Sequence, residues 1–142
     1  RLIDMGIDPF LIAATLVVAV AQRLVPVLCE ESKEELTLEG SWGVMAEKYL
    51  ANITPEISQR IEVPNKVYRA KSSATCPTGT RGRTAVFELL EMDRDFEKIL
   101  LEAPTEEAID QLARKKGFLT MKEDALLKVF AGVIPFEEVS KL

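Results

Sequence analysis

The sequence predicts a mainly helical α+β fold with a small β component. Two observations favour this class: a continuous apolar stretch near the start of the chain, and a series of amphipathic helices with clear start and stop residues from residue 93 onward. The segment 83–90 (RTAVFELL) adds strand-forming residues. With 47 % hydrophobic and 29 % charged residues, the 142-residue chain has the composition of a folded globular protein.

The first predicted element is a helix over residues 10–21, which are all apolar except Thr15. Asp8-Pro9 is typical of a helix start, with Asp as the cap and Pro in the first turn. Pro26 would end or bend the helix near Val25. A membrane-spanning helix needs about 20 apolar residues. We therefore interpret this stretch as a buried core helix and not as a membrane span.

The middle of the chain changes character. Glutamates within 30–39 indicate a solvated acidic surface. Apolar spacing predicts a helix over 41–52, and Thr54-Pro55-Glu56 begins a short second one. Residues 61–70 have strand-like content, and 71–82 are rich in Ser, Thr, Gly and Pro, which predicts a loop.

Four helices are predicted in the last third of the chain, because capping residues recur there. Their start signals are Asp93, Thr105, Thr120 and Pro135, and Thr120 with Glu123 forms a capping box. We expect these helices to form one small bundle. Its predicted core comprises Ile99, Leu100, Ile109, Leu112, Leu126, Leu127, Val129 and Phe130.

Several chemistries are excluded by what the sequence lacks. There is no histidine, so neither a Ser-His-Asp arrangement nor a histidine zinc site can form within the chain. There is no GxxxxGK[ST] or GxGxxG string, and the nearest, GTRGR at 79–83, lacks the lysine and the following hydroxyl. No catalytic residue is therefore assigned. A net charge of −5 disfavours nucleic acid as a partner. Two cysteines make no disulfide framework and fit a reducing cytoplasm.

A set of collinear strings resembles a known family. They are RLIDMGIDPFLIAA at 1–14, AQRLV at 21–25, TGTRGRTAVFELL at 78–90, MKED at 121–124 and EEV at 137–139. Together they closely resemble the C-terminal part of the GspE/PilB family of type II secretion and type IV pilus assembly ATPases. Each string is weak alone, and it is their common order over the whole chain that is specific.

The resemblance implies a domain map. Residues 1–28 would be the end of a RecA-like P-loop motor core, and 29–82 an inserted subdomain resembling the family's tetracysteine zinc subdomain. Residues 83–142 would be a strand plus a C-terminal helical bundle. The family's phosphate loop lies upstream of this region. The resemblance therefore implies ATP and magnesium for the parent protein, with no cofactor in this chain and no activity of the chain alone. The start at Arg1 is interpreted as a cut within a longer protein.

The family's zinc ligands, two CxxC pairs, are mostly lost here. The first pair reads Cys29 and Ser32, and the second pair falls on Ser72 and Thr75, with Cys76 one place off. Tetrahedral zinc needs four thiolates or histidine substitutes. We therefore predict that the chain binds no structural zinc.

The implied function is coupling of ATP hydrolysis in a cytoplasmic hexameric motor to protein secretion or pilin assembly. Implied partners are the upstream motor domain, neighbouring protomers of a homo-hexamer and an inner-membrane platform, reached without a membrane span. Gln22, Arg23 and Arg83 are candidates for a nucleotide-proximal or subunit-contact role. The structural alternative for Arg23 is a bond to helix-end carbonyls or a carboxylate, and for Arg83 an ion pair with Glu88. A second hypothesis is a free-standing, non-catalytic interaction module derived from such a motor.

Overall fold

The computed structural model describes residues 2–38, 40–102 and 104–142. Arg1 and Glu39 (one of the predicted surface acids) lie outside the described residues, as does Ala103. The fold is α+β, as predicted, and it contains more strand than predicted. Its elements are α1 (Pro9–Thr15), β1 (Val18–Leu28), β2 (Glu34–Thr37), α2 (Ser41–Leu50), α3 (Pro55–Ser58), β3 (Lys66–Arg69), β4 (Thr80–Glu91), α4 (Arg94–Glu102), α5 (Glu106–Lys115), α6 (Met121–Phe130) and a 3₁₀ helix, η1 (Phe136–Lys141).

The described strands form two small sheets, one pairing β1 with β4 and one pairing β2 with β3. The β2–β3 pair is antiparallel, with Glu34 opposite Arg69 and Glu35 opposite Tyr68. Strand β2 was not predicted, because its glutamates indicated only a solvated acidic surface. The structure places the Glu34 carboxylate 2.6 Å from the Arg69 guanidinium, and such cross-strand ion pairs favour the extended conformation.

The chain divides into two compact units. The first contains residues 1–21 and 89–118, and the second contains 22–88 and 119–142. In the first unit, Ile12 and Ala13 of α1 pack with Leu100 of α4. The second unit has the larger core, drawn from β1, α2, β3, β4, α6, η1 and the segment between α6 and η1: Val25, Ala46, Val67, Val86, Ala125, Leu126, Val129, Ile134, Phe136 and Val139. Each unit thus has its own apolar core.

The predicted apolar helix over 10–21 is wrong in both length and burial. Asp8 caps α1 as expected, since its Oδ1 accepts the N–H of Phe10 at 2.8 Å, but the helix ends at Thr15. The following Val17, Val18 and Val20 are β-branched and favour an extended backbone. Every residue from 18 to 24 in β1 is exposed. Pro26 lies inside β1, where an edge strand tolerates a residue without an N–H group.

The predicted single core of the C-terminal helices is also wrong. Leu100 packs with α1 in the first unit, whereas Leu126 and Val129 belong to the core of the second. The start signals themselves are confirmed: Asp93 accepts N–H groups from Asp95 and Phe96 in the first turn of α4. Helix amphipathicity specifies a buried face but not the element that covers it, which is why the partners were misassigned.

The capping box at the start of α6 gives a direct test of the local signals. Thr120 Oγ1 accepts the Glu123 N–H at 3.3 Å, and Glu123 Oε2 accepts the Thr120 N–H at 2.7 Å. We expect Thr120→Ala to lower the free energy of unfolding by about 1 kcal/mol, because the α6 N-terminus loses its acceptor. Urea denaturation measures this, with Thr120→Ser as the matched control that keeps the hydroxyl. Equal stability of the Ala and Ser variants would contradict a capping role.

Candidate functional site: the cysteine turns

Two four-residue turns of the same form carry the cysteines. In residues 29–32, the Ser32 N–H donates to the Cys29 carbonyl at 3.1 Å. In residues 76–79, the Gly79 N–H donates to the Cys76 carbonyl at 3.0 Å. We call these segments the cysteine turns. The first directly follows β1 and the second directly precedes β4, and the Cys29 N–H donates to the Gly79 carbonyl at 3.0 Å. Pairing of β1 with β4 therefore brings the two turns together.

The two cysteines are joined in a disulfide, which corrects the expectation of two unpaired thiols. Their Cα atoms lie 6.7 Å apart, and the side chains are among the most buried of the chain, with exposed fractions of 2 % for Cys29 and 3 % for Cys76. They are 47 residues apart in sequence. Nothing in the sequence indicates that two cysteines this far apart are bonded, since only the tertiary contact between the two turns aligns the sulfurs.

Arg81 provides a second, polar link at the cysteine turns. Its Nη2 donates to Glu31 Oε1 at 2.6 Å and to the Thr75 carbonyl at 3.1 Å. The backbone N–H of Glu31 itself, together with the Arg81 guanidinium, lowers the pKa of the Glu31 carboxyl below its ordinary value. Glu31 is ionised at neutral pH, as an ordinary glutamate is, and pairs with Arg81. Glu31 and Arg81 were not predicted as partners from the sequence, because opposite charge alone does not identify partners 50 positions apart.

The remaining predicted metal positions are not assembled into a ligand set. Ser72 and Thr75 are exposed, and the Thr75 hydroxyl lies 3.3 Å from that of Ser73. The Ser32 hydroxyl is buried without a hydrogen-bond partner in the described structure. Across residues 2–38, 40–102 and 104–142, no group of three or more His, Cys, Asp or Glu side chains could hold a metal ion. Sulfurs joined to each other are not thiolates, so the residues present do not fit a tetrathiolate zinc site.

Gly79 explains one part of the GTRGR string. Its φ is +71°, and a Cβ at this position would lie 2.5 Å from the Lys71 nitrogen and 2.8 Å from the Lys71 oxygen. Only glycine permits both this conformation and this close approach. After Gly79 the string lies within strand β4 and not before a helix, so it lacks the helix N-terminus that a phosphate-binding loop uses. Gly79 itself lets the second cysteine turn lie against the 70–71 segment.

The other candidate residues lie on the two long strands. Gln22 and Arg23 are exposed on β1, not at a helix end, and Arg23 Nη1 lies 3.5 Å from the Lys141 carbonyl. Arg83 is exposed on β4, and its side chain has no hydrogen bond or ion pair in the described part of the chain. The expected ion pair of Arg83 with Glu88 is wrong, because Glu88 Oε1 accepts the Met121 N–H at 3.0 Å instead. Glu88 thus ties β4 to the start of α6.

The class of protein that the sequence motifs indicate, a type II/IV secretion system protein, agrees with the comparison with known proteins. A family model described as "Type II/IV secretion system protein" matches residues 1–141, and the chain belongs to this family. No helix among the described residues is long and apolar enough to cross a membrane.

Curated relatives carry names from both secretion and pilus systems. The type II secretion system protein E of Xanthomonas campestris is 34 % identical, and the match covers 100 % of this chain and 24 % of the relative. The type IV pilus assembly ATPase PilB of Thermus thermophilus is 31 % identical, with 98 % of this chain and 15 % of the relative covered. The type II secretion system protein E of Pseudomonas aeruginosa is 33 % identical, covering 100 % and 26 %. The chain therefore spans about a quarter of these relatives' length or less.

Proposed function

We propose that this chain is a C-terminal segment of a GspE/PilB-like traffic ATPase. An upstream motor domain, with ATP and magnesium, would hydrolyse the nucleotide in a cytoplasmic homo-hexamer at an inner-membrane platform. The segment would couple that hydrolysis to protein secretion or pilin assembly. In this proposal residues 1–28 complete the RecA-like motor core, 29–82 form the insertion, and 83–142 form the strand and helical bundle. Family membership and the names of the relatives support it.

The observation that carries the proposal is the uncovered apolar part of strand β1. All residues from 18 to 24 are exposed, and the exposed fractions of Val18, Val20 and Leu24 are 44 %, 54 % and 61 %. A strand this apolar with an unpaired edge is an association hazard unless another surface covers it. We infer that the upstream motor domain of the parent covers it. The segment would then be anchored on the motor through β1.

The exposed cations on the same strands fit a coupling role. Arg23 lies on β1, and Arg83 lies on β4 without an intramolecular partner in the described structure. A guanidinium that is free of internal bonds can pair with a phosphate or a carboxylate bidentately. The Arg83 side chain meets this condition, and Gln22 and Arg23, which are exposed on β1, are retained with it as proposed contacts to nucleotide or to a neighbouring protomer.

Aspartate substitutions on β1 test the docking surface. In the 142-residue chain, Val20→Asp and Leu24→Asp should change the free energy of unfolding by less than about 0.5 kcal/mol, because both side chains are already exposed. In the parent protein, the same changes would bury an unpaired carboxylate and should lower ATP hydrolysis about tenfold or more. The matched control is Val44→Asp on α2, a valine that is 67 % exposed, for which hydrolysis should stay within about twofold of the unmodified protein.

Two results would contradict the proposal. The first is full ATP hydrolysis by the β1 variants of the parent. The second is magnesium-dependent ATP hydrolysis by the 142-residue chain alone, above a no-protein background. The alternative, a free-standing interaction module, predicts a coding sequence without an upstream GxxxxGK[ST] string. Sequencing upstream of the Arg1 codon separates it from the motor segment.

A further inference from the structure

We propose that the Cys29–Cys76 disulfide replaces a metal ion as the clamp at the base of the insertion. The clamp rests on the geometry of the cysteine turns, and in the cytoplasm of the proposed function it would form under oxidising conditions, because a reducing cytoplasm keeps thiols reduced. The chain leaves β1 at Cys29, forms β2, α2, α3 and β3, and returns at Cys76 just before β4. A single bond between these two residues therefore fixes both ends of the intervening segment.

The donor set at the cysteine turns supports a covalent clamp. The turns share one hydrogen-bond pattern, and both cysteines are almost fully buried. The rest of a ligand set is missing. The fourth residue of the first turn is Ser32, whose buried hydroxyl has no partner in the described structure. The fourth residue of the second turn is Gly79. Two sulfurs without further ligands cannot complete a tetrahedral zinc site, but they can bond to each other.

The surrounding contacts show why a covalent bond is useful here. In the described structure, the links from residues 29–31 to residues 75–79, apart from the disulfide, are the Cys29–Gly79 backbone hydrogen bond and the two bonds of Arg81. Arg81 is exposed, and exposed ion pairs contribute little to stability. Closing a long loop lowers the entropy of the unfolded chain most. The disulfide therefore adds a covalent link to the β1–β4 strand pairing that already brings the two turns together.

Formation of the clamp needs an oxidant, which we assign to a small-molecule disulfide of the glutathione type. One cysteine thiolate attacks a sulfur of that disulfide, forming a mixed disulfide and releasing one small thiolate. The second cysteine thiolate then attacks the protein sulfur of the mixed disulfide and releases the other small thiolate. The two cysteines are oxidised by two electrons, the small disulfide is reduced to two thiols, and the two protons pass to the released thiolates.

The covalent state is tested by mass spectrometry of the whole 142-residue chain refolded in a mixed oxidised and reduced glutathione buffer. After denaturation without reductant and treatment with iodoacetamide, we expect a mass two hydrogens below that of the dithiol and no alkylation. The same sample treated with reductant first should carry two alkyl groups. Equimolar zinc chloride added before gel filtration should not co-elute with the protein. Two alkylated cysteines without reductant, or one zinc retained per chain, would overturn the proposal.

The clamping role is tested by thermal unfolding with and without reductant. For the unmodified chain, reductant should lower the Tm by roughly 5–15 °C. The Cys29→Ala/Cys76→Ala variant should unfold at a lower Tm that reductant does not change. The matched control, Ser32→Ala in the same turn, should keep both the original Tm within about 2 °C and the sensitivity to reductant, because its hydroxyl has no partner to lose. A Tm of the unmodified chain that reductant does not change would contradict the clamp.

Discussion

Replacing Gly79 by alanine should destabilise the chain by more than about 3 kcal/mol, although it adds only one methyl group. The residue has a φ of +71°, and the new Cβ would meet the Lys71 nitrogen at 2.5 Å and the Ala70 carbonyl carbon at 2.9 Å. These are backbone atoms that cannot turn aside as a flexible side chain can. Relieving the overlap would move the 70–71 segment away from the second cysteine turn.

Gly82 is the matched control for this experiment. It has nearly the same φ, +75°, but no atom lies within 4 Å of the Cβ that alanine would add. Gly82→Ala should therefore cost only the conformational strain, about 1 kcal/mol. The free energies of unfolding from urea titrations of both variants measure the difference. Equal losses would mean that the positive φ, and not the close approach of Lys71, makes glycine necessary at position 79.

Replacing Phe136 by alanine should cost about 3–5 kcal/mol, because it empties the centre of the larger core. The ring is 1 % exposed and lies edge-to-face against Trp42, with centroids 4.5 Å apart and an interplanar angle of 77°. A loss of this size is a large part of the 5–15 kcal/mol typical of whole domains. We expect the second unit to unfold at a clearly lower urea concentration than in the unmodified chain.

Trp42 reports this change directly, because it is the only tryptophan in the sequence. Its fluorescence against urea concentration gives the unfolding midpoint of the core around it. Phe87→Ala is the control, since that ring is 42 % exposed and its removal should cost less than about 1 kcal/mol. A midpoint for Phe136→Ala as high as that for Phe87→Ala would contradict the central position of Phe136.

The disulfide clamp and the docking on the motor involve different parts of the chain and can be tested separately. The clamp concerns residues 29–79 and their redox state, whereas motor docking concerns the exposed part of β1. If the proposed docking failed, the mass and Tm results expected for the cysteines would be unaffected. If the clamp failed, β1 would still need a covering surface. In this member of the family, we expect the insertion to respond to thiol oxidants, where a tetracysteine subdomain would respond to chelators.

Family membership and the helix starts could be predicted from sequence because both depend on local strings. Asp8, Asp93, Thr105 and Thr120 each cap a helix by bonding an N–H group two or three residues away. Such contacts form within one turn of the chain, so the residues that make them are visible side by side in the sequence. The sequence also shows directly that the chain has no phosphate-loop string and no histidine.

The candidate site could be predicted only in part. The sequence identified Cys29 and Cys76 as remnants of the family's metal positions, but it gave no reason to join them, since 47 residues separate them. It also placed Glu88 with Arg83, whereas the folded chain gives the Glu88 carboxylate the Met121 N–H as a partner. In both cases the partner comes from a distant part of the chain.

The sequence by itself determined where most helices begin, which family the chain resembles, and that it contains no histidine and no phosphate-loop string. The tertiary structure decided that residues 18–24 are strand and not helix, that the C-terminal helices divide between two cores, and that the two cysteines meet. The physical reason is the distance along the chain over which each kind of interaction acts. Capping and turn preferences act within a few residues, whereas strand pairing, core packing and disulfide formation depend on which distant segments the fold brings into contact.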